Sequence, residues 1–222
     1  MPLPEKHPAN PNRKNGFFKL PPRMISDEVL RNPVLWIEQN IDHVPNKKIG
    51  HPKARIIPIR RLINNSLPYF GDFALASAYI SLLYRTAQCG EFSYILYTIL
   101  GPSLPKGTIV EIFLATWDTD NHAYIKVKLP PGYIWQDGER VRFCDVWYKR
   151  TTADTQGVYT ALEMNQVLKN IGSGEKPIEI SSLYHKVVGR CTMFVNNVHP
   201  NPSHGVNDAV IFENPSQSVL VV

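Results

Sequence analysis

Cysteine is the residue whose scarcity most restricts the classes of function open to this chain. The 222 residues contain three cysteines, at positions 89, 144 and 191, and no two of them form a C-x-x-C pair. A disulfide framework uses an even set of cysteines, and a structural zinc site uses closely spaced ones, so the sequence favours neither. We therefore expect free thiols and a reducing compartment, the cytoplasm.

Long apolar runs and phosphate-binding glycine loops are also missing. The longest apolar-rich stretch, residues 73–84, falls short of the about 20 residues that a membrane helix requires. No apolar segment follows a basic region near residue 1. The stretch Gly172-Ser173-Gly174 lacks the lysine of a phosphate-binding loop. The sequence therefore predicts no transmembrane segment, no signal peptide and no cofactor.

Two groups of potential metal ligands are incomplete. His199, His204 and Asp208 lie among proline and asparagine, where no helix or strand pattern fixes their geometry. Asp118 and Asp120 lack the glycine and the final glutamate of a calcium-binding loop. We therefore predict no metal site.

The charges of the chain are mixed rather than of one sign. Twenty-four Lys and Arg residues face 19 Asp and Glu residues, which leaves a formal net charge of +5, so a nucleic-acid partner is not favoured. A basic stretch interrupted by prolines runs from residue 42 to 68, and it indicates a solvated connector more than a dock for an acidic partner. The length fits one domain, which we place at residues 24–222 after a proline-rich arm at 1–23.

What the sequence does contain is a cysteine at a predicted helix start. Apolar residues recur after Cys89 at the spacing of one buried helix face: Phe92, Ile95, Leu96, Ile99 and Leu100. A thiol at a helix start lies near unpaired N–H groups and the positive end of the helix dipole, which favour the thiolate. The alternative for a lone cysteine is a small buried hydrophobic residue.

A histidine and an aspartate lie on predicted strands that follow this helix. Residues 108–117, 122–129 and 140–148 have the β-branched and aromatic content of strands. With Cys89, His122 and Asp145 supply what acyl transfer by a thiol needs: a nucleophile, a base, and a carboxylate that orients the base. The alternatives are that His122 is an ordinary strand residue and that Asp145 pairs with Arg142 or Lys149.

His122 and Asp145 can meet only if their strands pair in a suitable register. A two-residue turn at Asp137-Gly138 would leave them about 26 Å apart along the strand. A longer loop that includes residues 130–132 makes them direct neighbours. Because two prolines and a glycine do not continue a strand, we predict the second register. It must also place both side chains on the sheet face that meets the Cys89 helix.

Three segments resemble the transglutaminase-like and papain-like cysteine hydrolases: Gln88-Cys89-Gly90-Glu91-Phe92, Asn121-His122-Ala123-Tyr124 and Asp145-Val146-Trp147. The chain looks most like the compact members found among bacterial effector proteins, over residues 71 to about 150. The resemblance implies an α+β fold with a papain/transglutaminase-like core, in which the nucleophile helix packs on an antiparallel sheet. It also implies that Cys89 is the nucleophile, His122 the general base and acid, and Asp145 the orienting acid.

One position departs from the papain-like pattern. Papain-like enzymes carry an oxyanion-binding glutamine six residues before the cysteine, where this chain has Leu83. The oxyanion would then rely on the backbone N–H of Cys89 and a second donor, for which Gln88 and Asn121 are the candidates.

The resemblance implies thiol-dependent acyl transfer on an amide bond of a protein or peptide, by a cysteine peptidase (a thiol protease), a deamidase or a transglutaminase. It also implies an effector that is delivered into a host cell. The alternative is a non-catalytic interaction module that docks a partner through the basic stretch. The sequence does not choose among the three reactions, and it leaves the oligomeric state open.

Overall fold

The computed structural model describes residues 21–44, 53–152, 154, 156–189 and 193–195. Within these residues the chain forms ten strands and six helices. In chain order they are β1 (Arg23–Ile25), α1 (Glu28–Asn40), β2 (Asp42–His43), α2 (Lys53–Phe70), α3 (Phe73–Tyr84), β3 (Thr86–Ala87), α4 (Cys89–Ile99), β4 (Ile109–Thr116), β5 (Asn121–Lys128), β6 (Tyr133–Trp135), β7 (Val141–Cys144), α5 (Val146–Thr152), β8 (Val158–Tyr159), α6 (Ala161–Ile171), β9 (Glu179–Val187) and β10 (Met193–Val195).

The centre of the molecule is a six-stranded sheet in the order β10-β9-β4-β5-β7-β8. All of its neighbouring strands are antiparallel. The strands predicted at 108–117 and 122–129 are β4 and β5, and they pair along their whole length from Ile109↔Lys128 to Thr116↔Asn121. The prediction of an α+β protein with an antiparallel sheet is therefore confirmed.

Helix α4 begins at Cys89, as predicted, and packs on this sheet. Its buried residues Phe92 and Ile95 belong to the same hydrophobic cluster as Ile125 and Val127 of β5. The cysteine is thus the first residue of a helix whose apolar face is held against the sheet. Burial of such a face supplies most of the stability of a helix of this length.

The strand predicted over residues 140–148 is only half correct. Strand β7 ends at Cys144, and helix α5 begins at Val146. Asp145 lies between them, where its Oδ1 accepts a hydrogen bond of 2.8 Å from the backbone N–H of Tyr148. This cap outweighs the strand propensity of the Val, Trp and Tyr residues that follow, because it satisfies one of the free N–H groups of a helix start.

The basic stretch at 42–68 is not the connector that the sequence indicated. Its second half lies in α2, which contains Pro58 and Pro68 and carries exposed Arg61. The helix is held by a buried cluster that it forms with α3 and with Val44, the residue after β2; its other members are Ile56, Ile59, Ile63, Ala76 and Ile80. The helical spacing of the three isoleucines outweighs the prolines, because it gives the helix a buried apolar face.

Several predictions fall partly or wholly outside the described residues. These are the arm up to residue 20, part of the basic stretch (45–52), Cys191, and the weak metal candidates His199, His204 and Asp208. Arg23, the last residue of the predicted arm, pairs with Tyr133 in the parallel β1–β6 pair. In the described segments, no helix combines the length and apolar character that crossing a membrane requires.

Candidate active site

Asp145 is fixed by three hydrogen bonds at the point where β7 gives way to α5. Its backbone N–H donates to the Gly157 carbonyl at 3.1 Å, and its Oδ1 caps α5 through the N–H of Tyr148 at 2.8 Å. Its Oδ2 lies 2.5 Å from Nε2 of His122. With only 2 % of its surface exposed, the carboxylate is held in one position and screened little by water.

The cations that could have competed for Asp145 are bound elsewhere. Arg142 contacts Asp27 at 3.0 Å, and Lys149 contacts Glu38 at 2.8 Å. The alternative in which Asp145 pairs with Arg142 or Lys149 is therefore wrong.

The predicted register is also wrong, by two residues, although the predicted contact forms. Ile125 pairs with Cys144, so partner numbers sum to 269 (125 plus 144) rather than to the expected 267 (122 plus 145). His122 is therefore a diagonal neighbour of Asp145, which is within reach of a side-chain hydrogen bond. The backbone N–H of Leu129 donates to the carbonyl of Arg140, and these two numbers also sum to 269 (129 plus 140). The observed register therefore continues up to the loop that joins the two strands.

His122 is buried, with 1 % of its surface exposed, and its two ring nitrogens have different neighbours. Nε2 binds Asp145, whereas Nδ1 has no nitrogen or oxygen partner. The hydrogen bond and charge of the Cys89 thiol raise the pKa of His122, so the thiol lies beside the ring. Because Nε2 is engaged by Asp145, Nδ1 is the nitrogen that remains available to the thiol.

The thiol and the imidazole meet at a strand end rather than on one face of the sheet. His122 stacks with Tyr124, with ring centroids 6.4 Å apart, on the face opposite the one that Ala123 and Ile125 present to α4. The prediction that His122 lies on the sheet face that packs on the Cys89 helix is thus wrong, although its ring reaches the first residue of that helix. Strand β7 pairs with β5 only from Ile125 onward, and in the space beside its end the backbone N–H of Ala123 contacts the Cys89 sulfur.

These contacts favour the ionised pair. Burial raises the pKa of Cys89, but the hydrogen bond and positive charge of His122, together with the N–H of Ala123, outweigh it and lower the pKa below its ordinary value of 9.0. Burial lowers the pKa of His122, but the charge and hydrogen bond of Asp145 outweigh it and raise the pKa to about 10. Between these two values the site holds a thiolate beside an imidazolium.

Cys144 shows what the same residue type does without a histidine. It is 1 % exposed and adjacent in sequence to Asp145, and burial followed by the charge of that carboxylate raises its pKa. Both Cys89 and Cys144 are free thiols, but only Cys89 has an environment that favours the thiolate.

The start of α4 is itself held by side chains. The Glu91 carboxylate accepts from the backbone N–H of Gln88 at 3.1 Å. Arg60 of α2 donates to Glu91 at 2.9 Å and to the side-chain oxygen of Gln88 at 3.0 Å. Gln88, the residue before Cys89, therefore has its side-chain oxygen engaged. Asn121 is exposed as the first residue of β5, and both residues remain predicted oxyanion donors.

Two aromatic rings, those of Trp147 and His43, lie in a row next to the imidazole of His122, and the sequence did not indicate His43. The Trp147 ring lies 4.9 Å from the His122 ring, and the His43 ring lies 6.1 Å from the Trp147 ring. His43 also stacks on Phe92, one turn after the cysteine. It reaches this place because β2 pairs in parallel with β3, opposite Ala87, and a two-residue strand leaves no pattern to read in a sequence.

No metal site accompanies this arrangement in the part of the chain that the structure describes. There, no group of three or more His, Cys, Asp and Glu side chains is placed to hold a metal ion. The described pair Asp118 and Asp120 belongs to no such group.

The chemistry of the site follows from its own residues. In comparisons with known proteins, no family model, no curated protein and no solved structure matches this chain.

Proposed function

We propose that this chain is an enzyme that transfers acyl groups through Cys89, acting on amide bonds of a protein or peptide. His122 is the general base and acid, and Asp145 orients it. The observation that carries the proposal is the buried group in which the Asp145 carboxylate lies 2.5 Å from Nε2 of His122 and the Cys89 thiol lies beside the same imidazole.

Burial of these three groups is the reason to prefer chemistry over structure. Removing ionisable groups from water is costly, and apolar residues of similar volume would often stabilise a core as well or better. Cys89, His122 and Asp145 are nevertheless at most 8 % exposed, and the pKa values of the first two are perturbed in opposite directions. Opposed perturbations of adjacent groups are typical of catalytic sites.

The first half of the reaction forms an acyl-enzyme. The Cys89 thiolate attacks the carbonyl carbon, and the carbonyl π electrons move to the oxygen. The N–H of Cys89 at the helix start, with Gln88 or Asn121, stabilises this oxyanion. The imidazolium of His122 then gives its Nδ1 proton to the leaving nitrogen, the C–N bond breaks, and a thioester remains on Cys89.

The second half releases the acyl group and defines the reaction. Neutral His122 accepts a proton from the incoming nucleophile, which attacks the thioester, and the thiolate leaves. Water as the nucleophile gives a cysteine peptidase on a backbone amide or a deamidase on a glutamine side chain, whereas an amine gives a transglutaminase. All three need the same residues, and the tetrad of Cys89, His122, Asp145 and the covering Trp147 serves each of them.

We also propose that the fold has a papain/transglutaminase-like core and that the protein is an effector that works in a reducing compartment. The support for the core is a cysteine at the start of a helix, packed on an antiparallel sheet that carries the histidine. The support for the compartment is that Cys89 and Cys144, the cysteines whose surroundings the structure describes, are both free.

The experiment is exposure of the intact chain to a panel of peptide-based thiol probes, read by intact mass. We expect one adduct on the wild type and on a matched Cys144→Ala control, and none on Cys89→Ala or His122→Ala. The rival function is an interaction module that docks a partner through the basic stretch. It would be favoured if Cys89 were no more reactive than Cys144, and that result would end the acyl-transfer proposal.

A further inference from the structure

Arg60 reaches from the basic helix α2 into the first turn of the nucleophile helix. Its Nε donates to Oε1 of Glu91 at 2.9 Å, and its Nη2 donates to Oε1 of Gln88 at 3.0 Å. Gln88 immediately precedes Cys89, and Glu91 follows it by two residues. One guanidinium therefore binds one residue before Cys89 and one residue after it.

These contacts are largely shielded from water. The Arg60 side chain is 19 % exposed and that of Glu91 is 6 % exposed. A charged pair this close to burial interacts more strongly than a surface pair, and loss of one partner leaves the other charge uncompensated. The contact between α2 and α4 is thus a strong link between the basic stretch and the candidate site.

Charged and titratable groups face the start of α4 from several elements. Glu91 and Tyr94 lie on α4 itself, Arg60 on α2, His122 on β5, Asp145 after β7 and His43 on β2. Among the influences on the Cys89 thiol, burial and the Glu91 carboxylate act against ionisation, and His122 acts for it. Glu91 is therefore an acid whose negative charge disfavours the Cys89 thiolate.

We propose that Arg60 is a positioning residue for Cys89: by binding Glu91 and Gln88 together, it fixes the first turn of α4 and compensates the negative charge nearest the nucleophile on its own helix. This inference rests on the acyl-transfer function proposed above and deepens it. Glu91 caps the helix through the N–H of Gln88, at 3.1 Å, and Arg60 reduces the extent to which the charge of that cap opposes the thiolate.

The proposal predicts effects of opposite sign for the two partners. Arg60→Met keeps the apolar stem but leaves the Glu91 charge unopposed, which disfavours the thiolate. Glu91→Gln removes that charge and keeps an oxygen for the N–H of Gln88. If the pair were merely structural, either change would loosen the helix start and lower the reactivity of Cys89 in the same way.

The experiment measures the rate of Cys89 alkylation by iodoacetamide against pH, resolved by peptide mass, on the full chain. For Arg60→Met we expect the midpoint at a higher pH and a rate below the wild-type midpoint that is lower by about threefold or more. For Glu91→Gln we expect the midpoint at a lower pH, and the double variant should lie near the wild type.

Two further variants complete the design. Arg60→Lys supplies a charge without the fork that binds both side chains, so it should recover only part of the difference. Arg31→Met is the matched control, because Arg31 forms a 3.2 Å pair with Glu28 in which both side chains are well exposed, and its profile should match the wild type.

The outcomes separate this proposal from the function on which it rests. Shifts of the same sign for Arg60→Met and Glu91→Gln, or a Glu91→Gln profile that coincides with the wild type, would overturn the role of Arg60. If Arg60→Met does not fold, Glu91→Gln still decides. If His122→Ala moves the profile while neither of these variants does, only the role of Arg60 fails. If His122→Ala leaves the profile unchanged, the catalytic pair itself is absent.

Discussion

Replacement of Asp145 by asparagine separates the charge of this residue from its shape. The two side chains are nearly isosteric, and the asparagine oxygen can still accept from the N–H of Tyr148, which Asp145 caps at 2.8 Å. The 2.5 Å contact to Nε2 of His122 loses its negative charge. We therefore expect Asp145→Asn to fold normally and to weaken the thiolate–imidazolium pair at Cys89.

The magnitude follows from the strength of one buried, charge-assisted hydrogen bond. Such a bond contributes about 1.5–3 kcal/mol. Since 1.36 kcal/mol corresponds to a factor of ten in a protonation equilibrium, loss of the bond reduces the ionised pair relative to the neutral one by about tenfold to a hundredfold. If the neutral thiol–imidazole pair predominates in the variant at neutral pH, the alkylation rate of Cys89 should fall by a similar factor.

The assay is the pH profile of iodoacetamide alkylation, combined with the free energy of unfolding in urea. Asp145→Ala is the matched comparison, because it loses the charge and the helix cap together. It should unfold more easily than Asp145→Asn by about 1 kcal/mol, the usual cost of a lost cap. The reasoning is refuted if Asp145→Asn is fully folded and its alkylation profile superimposes on that of the wild type.

The wild-type alkylation profile should rise in two steps. The first lies below pH 9.0, where the Cys89 thiol ionises. The second lies near pH 10, the raised pKa of His122, where the imidazolium loses its proton and leaves a more basic thiolate. His122→Gln should show a single step, at a higher pH than the first step of the wild type, because burial and the Glu91 charge then oppose ionisation of the thiol and only the N–H of Ala123 favours it. Cys144 should resist alkylation in the native state up to pH 9 and react only in urea, since burial raises its pKa, and native labelling would contradict this. Gly157→Ala should lower the free energy of unfolding by about 2 kcal/mol or more, because Gly157 has a φ of 66° and an added Cβ would lie 2.7 Å from Val34; unchanged urea unfolding would contradict this.

The sequence was sufficient for the parts of the site that depend on local pattern. Apolar spacing after Cys89 located the helix start, and alternation after residue 121 located the strand of His122. The contact of His122 with Asp145 was also correct, because the two prolines and the glycine at 130–132 do not continue a strand and so place a loop between the two residues. These features depend on residue types within one or two elements.

What could not be read depends on contacts between distant segments. The register was missed because residues 130–139 form a loop whose strand, β6, pairs with β1 rather than with β7. The start of α5 was missed because Asp145 can cap a helix only where the chain turns, and the residues after it have the β-branched and aromatic content of a strand. Arg60 was missed because its role depends on α2 packing on α3, which brings the guanidinium to the start of α4, and no pattern near residue 60 indicates Glu91 as its partner.

The hydrogen bond from Asp145 to the Gly157 carbonyl has a consequence for how the protein is made. Gly157 lies twelve residues beyond Asp145, and β8, which follows it, pairs with β7. On the ribosome, a chain that has emerged only as far as α5 has the thiol, the imidazole and the carboxylate but not the backbone that holds the carboxylate in place. The carboxylate that orients His122 therefore reaches its fixed position only when the segment after α5 has joined the sheet.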